Sequence, residues 1–459
     1  MKSIPSSATD KRLVRRRQRP ISSTPSSSSA TARLLYLTIL VLTISSFSTT
    51  NSFTVDCPVG RKSSILKSRA SVPRVGPLSV TTDDRRTTGT SLAQPRTGFL
   101  QGLLDFVLAS PLWKLVLVPQ ARQKMVDTAA SNGIPWQECK EWLLAQPNAP
   151  WKDGVTLHSD SNIPDYYKQS FHAYEEGNLC WEAAIEVEIA SAAVGARNFP
   201  QYGRQGEDAF RNSFASALQT ECGAYCPENG VIVDLGCGTG LSTRRLAQKY
   251  PQAKQILGID LSPYYCKVGQ FLLDMAPIPS IEEGGPWVNA IPATGNLDKS
   301  RIQYQVGDAT QTGLPDNSVD VVNLQFVAHE MPYQVTLDVI REAHRILKPN
   351  GGQFWFCEMD FETPGYAAQR ANPLLFSLIR STEPYLDDYA DHAQDIRDQL
   401  QKLFRKTIIA PATGRHFAIV ATKGDDQDEG AHELIDTRFD EDGVYRVEDT
   451  HLKTFENKL

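Results

Sequence analysis

The apolar positions of the chain fall into two alternating patterns. Val231-Ile-Val-Asp-Leu235, Gln255-Ile-Leu-Gly-Ile-Asp260, Arg301–Val306, Val319–Phe326 and Gln353–Met359 are short, β-branched or apolar runs that read as buried strands. Between them Leu241–Tyr250, the stretch from Ser262 onward and Thr336–Leu347 read as helices, the last closed by Lys348-Pro-Asn-Gly351. Lys406–Ile409 and His416–Thr422 read as a final antiparallel pair. Upstream, helical spacing is predicted over Gln120–Asn132, Trp181–Ala196 and Glu207–Leu218. Pro147–Pro164 reads as a linker, and Met275–Ser300 as a Pro/Gly-rich loop longer than compact domains usually hold.

The first strand runs into Gly236-Cys237-Gly238-Thr239-Gly240, a turn with almost no side chains that leads straight into a helix. Such a turn lets a ligand press on bare backbone while the N–H groups of the helix start face it. Dinucleotide folds space their glycines G-x-G-x-x-G, but here the third Gly comes one residue early and Leu241 occupies the later place. Asp234, two residues ahead of the turn, offers an acceptor for a cationic amino group. Together these features resemble motif I of the class I S-adenosylmethionine (SAM) methyltransferases, and Leu314-Pro-Asp-Asn-Ser-Val-Asp-Val-Val322 resembles the type 11 group that includes enzymes of ubiquinone and menaquinone biosynthesis. The resemblance covers residues 229–360 well and the flanks loosely.

That resemblance implies an α/β fold: a seven-stranded, mostly parallel sheet with helices on both faces, Rossmann-like, behind a helical N-terminal cap. It implies SAM as cofactor and assigns it a set of residues. Asp234, Gly236, Cys237, Gly238 and Gly240 would hold SAM at the turn, Asp234 accepting from its α-amino group. Asp260 would accept the ribose hydroxyls, with Leu261 packing on the adenine. Asp308 and Ala309 would recognise the base, and Gln325 would lie near the methionine. An acid at a strand end beyond a glycine turn suits a ribose on chemical grounds as well. His329, at the end of the fourth strand, is the candidate general base, and Glu330 beside it would orient it or bind a cation. Tyr174, in an aromatic stretch ahead of motif I, and Tyr385 and Tyr389, which at i, i+4 share a helix face, are with Glu330 the candidate acceptor contacts. The apolar and aromatic stretch Pro364–Arg380 suits a small aromatic or prenylated acceptor better than a polar one.

Charge divides the chain. Residues 1–97 hold 16 basic and 4 acidic residues, leaving 31 and 49 for the remainder. An acidic body argues against nucleic acid as the partner. Cys222 and Cys226 have no second pair at zinc spacing, so no metal is expected. A basic block around Arg15-Arg16-Arg17, an apolar run over Leu34–Ile44 and an acid-poor Ser/Thr/Arg stretch over residues 54–97 read as a signal peptide followed by a transit peptide. This resembles the bipartite leader of algal plastids acquired by secondary endosymbiosis; the alternatives are secretion or an uncleaved membrane anchor. Residues 98–118 are apolar but broken at Pro111, which suits a helix pair capping the domain or a peripheral membrane or lipid-droplet contact, not a membrane span.

The sequence thus predicts a targeting leader (1–97), a helical cap (98–228), a SAM-dependent methyltransferase domain (229–423) and an acidic tail (424–459). The expected activity is plastid methylation of a small aromatic or isoprenoid, quinone-type metabolite, with no obligate protein partner in view. A silent SAM-fold scaffold or sensor is the alternative. Its weakness is that a silent copy has no need of both the ribose and the adenine acid.

Overall fold

Eight strands form one sheet in the order β3-β2-β1-β4-β5-β7-β6-β8 in a computed structural model that describes residues 122–152, 163–292, 297–364, 366, 370, 382–425 and 432–446. All of these belong to the unit Gly89–Leu459. The leader, the 98–118 segment, most of the 364–380 stretch and the ends of the acidic tail lie outside the described residues. No described helix is long and apolar enough to cross a membrane.

Strands β1 (Val231–Leu235), β2 (Gln255–Asp260), β3 (Ile302–Val306), β4 (Val321–Gln325) and β5 (Gln353–Met359) run parallel, and β7 (His416–Thr422) joins β5 antiparallel. β6 (Lys406–Thr413) pairs β7 antiparallel. The sheet is the mostly parallel, helix-flanked one expected, with one strand more than the predicted seven. The extra strand, β8 (Glu433–Asp436), comes from the acidic tail and lies parallel to β6. It escapes a sequence reading because four residues with two terminal acids carry little strand signal.

Alternate residues of β1 serve opposite faces. Ile232 joins the core beneath α2 (Trp181–Asn198), α3 (Gly206–Ser216) and α5 (Pro263–Met275), while Val233 and Leu235 join the core beneath α6 (Tyr333–Ile346) and α8 (Ala393–Leu403). Both faces are apolar, as parallel strands buried on two sides require. Helix α1 (Trp136–Ala145) also contributes Trp136, Cys139 and Leu143 to the first core. The cap therefore shares a core with the sheet. α4 (Leu241–Lys249) follows the turn after β1, and the short α7 (Leu386–Asp391) precedes α8.

The described part of the long 276–300 loop is built rather than slack. Ile278 and Ile291 pair antiparallel, and Ser280 and Glu283 form a reciprocal cap on the turn between them. Trp287 is buried, its ring centroid 5.6 Å from that of Trp142 on α1. In the tail, Phe439 and Tyr445 form an antiparallel bridge.

Candidate functional site

β1 delivers the glycine turn to the carboxyl ends of the parallel strands, where open α/β sheets bind ligands. All three glycines adopt left-handed backbone, with φ of 63° at Gly236, 56° at Gly238 and 85° at Gly240. At Gly240 an added Cβ would come within 2.0 Å of the Tyr304 hydroxyl. At Gly238 it would meet nothing within 4 Å, so this part of the turn borders open space. At Gly238 the turn therefore presents bare backbone to open space. Cys237 is buried beneath it, its Sγ donating to the Gly238 carbonyl at 3.6 Å, and burial keeps it a protonated thiol.

Asp260 ends β2 within the cradle. Its Oδ2 accepts the Gly238 N–H and its Oδ1 the Ser262 N–H, both at 2.8 Å, and Tyr167 donates its hydroxyl to Oδ1 at 3.3 Å. Burial lifts this carboxyl to about 6 against the pull of those donors. Leu261 is half-buried beside it. Asp308, past β3, accepts the backbone N–H and hydroxyl of Thr310, and Ala309 follows it in the same half-buried turn. Tyr166, whose hydroxyl is held protonated first by burial and then by Asp308, Tyr385 and Asp260, sits between these acids and Tyr385.

Asp234 is 1% exposed, and its carboxylate accepts from Ser242, Thr243 and Asn323 at 2.6–2.7 Å. Its bonds to the first turn of α4 and to the middle of β4 fix the shape of the turn. Gln325 donates to Asn323 at 2.9 Å and so belongs to the same network.

A charged hub, invisible in the sequence, holds the turn from the cap side. Glu188 of α2 is 2% exposed and accepts from Thr239 at 2.9 Å, Arg244 at 2.6 Å and the Trp287 indole at 3.1 Å. A buried carboxylate with three donors is fully compensated.

On the acceptor side, β4 is followed by Phe326, whose φ of 58° is a left-handed conformation rare for an aromatic residue. Its ring stacks on Phe210 at 5.2 Å. Val327 then packs against Gly236, and the turn Ala328–Glu330 follows, so acceptor-side residues rest directly on the glycine turn. His329 Nδ1 lies 2.9 Å from both oxygens of Glu358, a fully buried residue of β5. Burial alone would pull this imidazole down, but Glu358, with Glu383 and Glu330, raises it to about 10. At neutral pH it is an imidazolium that donates. That departs from the role of base expected of it, and its orienting partner is Glu358, not Glu330.

Glu330 accepts from Asn178 at 3.3 Å and lies 3.6 Å from His172, which in turn lies 3.1 Å from Glu383. Burial raises Glu330, the two histidines pull it back, and Glu383 and Asp260 raise it again, to about 7. His172 is lowered by burial and raised more strongly by Glu383 and Glu330, to about 9. Sequence reasoning missed His172, Glu358 and Glu383; an acid inside the apolar run of β5 was the one available signal.

The three tyrosines proposed as acceptor contacts separate. Tyr385 precedes α7, its hydroxyl accepting from Gln169 at 2.9 Å and its ring beside Tyr166, so it stays at the site's edge. Tyr389 is 1% exposed and donates to the Met359 carbonyl at 2.9 Å, which makes it a core residue. The shared face fails because Tyr385 lies before the helix starts. Tyr174 donates to Glu186 at 2.5 Å under the Arg122 guanidinium, tied to the cap.

Residues 233–355 match the type 11 methyltransferase family model, described as a methyltransferase domain. Together with the sheet order and the glycine cradle, this makes the matched stretch a SAM-dependent methyltransferase domain of Rossmann-like fold, with SAM as its cofactor. Among curated proteins, one named as a probable chloroplastic tocopherol O-methyltransferase from Oryza sativa subsp. japonica is 34% identical over 101 residues, 22% of each chain. A demethylmenaquinone methyltransferase from Lysinibacillus sphaericus is 28% identical over 134 residues, 29% of this chain and 47% of that one. The chain thus spans half or less of the length of these relatives. A SAM-dependent methyltransferase structure from Aquifex aeolicus aligns at 14% identity over 47% of this chain and 96% of that one, with a TM-score of 0.30.

Proposed function

We propose that the protein methylates a small molecule, an aromatic or isoprenoid acceptor of quinone type, using SAM inside a plastid. The observation that carries this reading is the contact between the two halves of the site: the turn holding His329 and Glu330 packs through Val327 onto Gly236 of the cofactor turn. SAM supplies an electrophilic methyl group; the chain supplies the rest. Gly236–Gly240 would line the methionine part, Asp260 and Leu261 the ribose and adenine, and Asp308 and Ala309 the base. The Tyr167 hydroxyl, which donates to Oδ1 of the same carboxylate, would stand beside a ribose bound to Asp260. His329, charged and held by Glu358, would donate to an acceptor oxygen as it becomes anionic.

The acceptor class is supported by the aromatic edge of Tyr166, Tyr167 and Tyr385 and by relatives named for menaquinone and tocopherol methylation. The plastid is supported by the signal-plus-transit composition of residues 1–97. The test is to incubate the protein with methyl-labelled SAM and a plastid extract, then separate lipid, aqueous and protein fractions. Label is expected in the lipid fraction and is expected to vanish with Asp260→Ala. Label in the aqueous or protein fraction would overturn the acceptor class, and no label anywhere would overturn the activity.

A further inference from the structure

The clamp on His329 leaves the site without an obvious destination for a proton. With Nδ1 held against both oxygens of a buried carboxylate, and with Glu358, Glu383 and Glu330 raising the ring to about 10 against the pull of burial, the imidazole holds both protons at neutral pH and has no free lone pair to accept another. The next residue has the opposite character. Glu330 leaves the same short turn, Ala328–Glu330, but no guanidinium or ammonium pairs with it among the described residues. Its Oε2 takes one long hydrogen bond from Asn178, and its Oε1 stands 3.6 Å from His172 Nε2. It is 23% exposed at the side chain, against 12% for His329 and none for Glu358, so it is the accessible acid of the group.

We propose that Glu330 is the catalytic base of the reaction, taking the proton of the acceptor, while the His329–Glu358 pair is its cationic complement. The inference rests on the methyltransferase reading above. In the step, the acceptor's O–H or acidic C–H bond breaks and its proton goes to the Glu330 carboxylate. The electron pair left behind forms the bond to the methyl carbon as the carbon–sulfur bond opens, and sulfur keeps that pair. The imidazolium Nε2–H of His329 steadies the transient anion without losing its own proton. Glu358 acts only through His329 and is a positioning residue.

The groups around Glu330 agree with this division. His172 faces it from the segment ahead of α2, His329 from its own turn, Glu383 from the segment before α7, and Asp260 from β2, with Tyr167 and Tyr265 nearby. The two imidazoles favour its charged form, whereas burial and the two carboxylates oppose it. The balance leaves a carboxyl that titrates near neutrality, where a general base is most effective.

The test has two readouts. The first is the pH dependence of methyl transfer at low acceptor, using the full chain, labelled SAM and the extract fraction that takes label. The wild type should lose rate as pH falls through about 7. Glu330→Gln should lose roughly 10²–10⁴-fold and become flat across that range, while His329→Gln should be slow yet keep the acid limb. A limb that survives in Glu330→Gln and disappears in His329→Gln would overturn the proposal. The second readout needs no turnover: carbon-13 titration of the side-chain carboxyls in the full chain. One carboxyl should titrate near 7 and be missing from Glu330→Gln; a wild-type spectrum without it would overturn the proposal. Because this readout needs neither SAM nor acceptor, it separates failure of the base from failure of the methyltransferase reading.

Discussion

The two halves of the site are built by different means. On the cofactor side the chemistry is carried by backbone and by residues close in sequence: a five-residue turn and two acids at consecutive strand ends. On the acceptor side it is carried by side chains from positions 172, 178, 329, 330, 358 and 383, which meet only in the folded chain. The first half depends on conformation, the second on charge balance. Substitutions should therefore separate them.

The largest effect is expected at the tail. Arg438 is 2% exposed and pairs at 2.9 Å with Asp360, just past β5, which also accepts from the Tyr445 hydroxyl at 3.0 Å. Arg438→Met would leave Asp360 buried without its cation, at a cost of about 3–5 kcal/mol, read as a lower denaturant midpoint. If stability holds, the tail is not part of the fold.

Next comes Glu358→Gln, which keeps a hydrogen bond to His329 but removes the charge. Methyl transfer should drop by roughly 10²–10³-fold, the scale of losing one oriented transition-state donor, with SAM affinity by calorimetry unchanged. Equal losses in both would mean the halves are not separable. The mirror experiment is Gly238→Ala. Left-handed backbone costs a non-glycine residue about 1–2 kcal/mol, and the new methyl enters the open side of the cradle. SAM affinity should fall about 10- to 100-fold while the titration of the acceptor-side carboxyls stays as it was.

At neutral pH the smallest change is expected at His416. It is 4% exposed among Phe210, Phe214 and Phe326, and burial, then Arg415, His329 and Arg197, lower it to about 3. The unfolded chain protonates this residue near 6.5, so stability is full above that value and is lost as pH falls from there toward 3. By pH 5 the loss should reach about 2 kcal/mol, and His416→Phe should abolish that part of the acid sensitivity. Urea midpoints at pH 7 and pH 5 give the comparison.

The same division explains what could be read from the chain. The sheet, its helices and the cofactor turn follow from local patterns: β-branched runs, a glycine spacing, an acid at a strand end. Asp234 is legible as a residue of the cofactor turn, but its bonds to Ser242, Thr243 and Asn323 are not, because these partners become neighbours only on folding. His329 was found, but its charge state depends on Glu358, twenty-nine residues on across a neighbouring strand. Tyr385 and Tyr389 were assigned one face by a helical period that begins a residue too late. β8 was missed for want of any pattern at all.

The Glu188 hub has a consequence for modularity. The stretch matched by the family model begins at residue 233, yet Arg244 inside it finds its counter-charge at Glu188 and its neighbour Thr239 the same acceptor. A chimera that joined residues from 229 onward to a foreign cap would strand a buried guanidinium. The recognisable module and the unit that can be exchanged between proteins are therefore not the same: any graft that is to keep this cofactor turn must carry α2 with it.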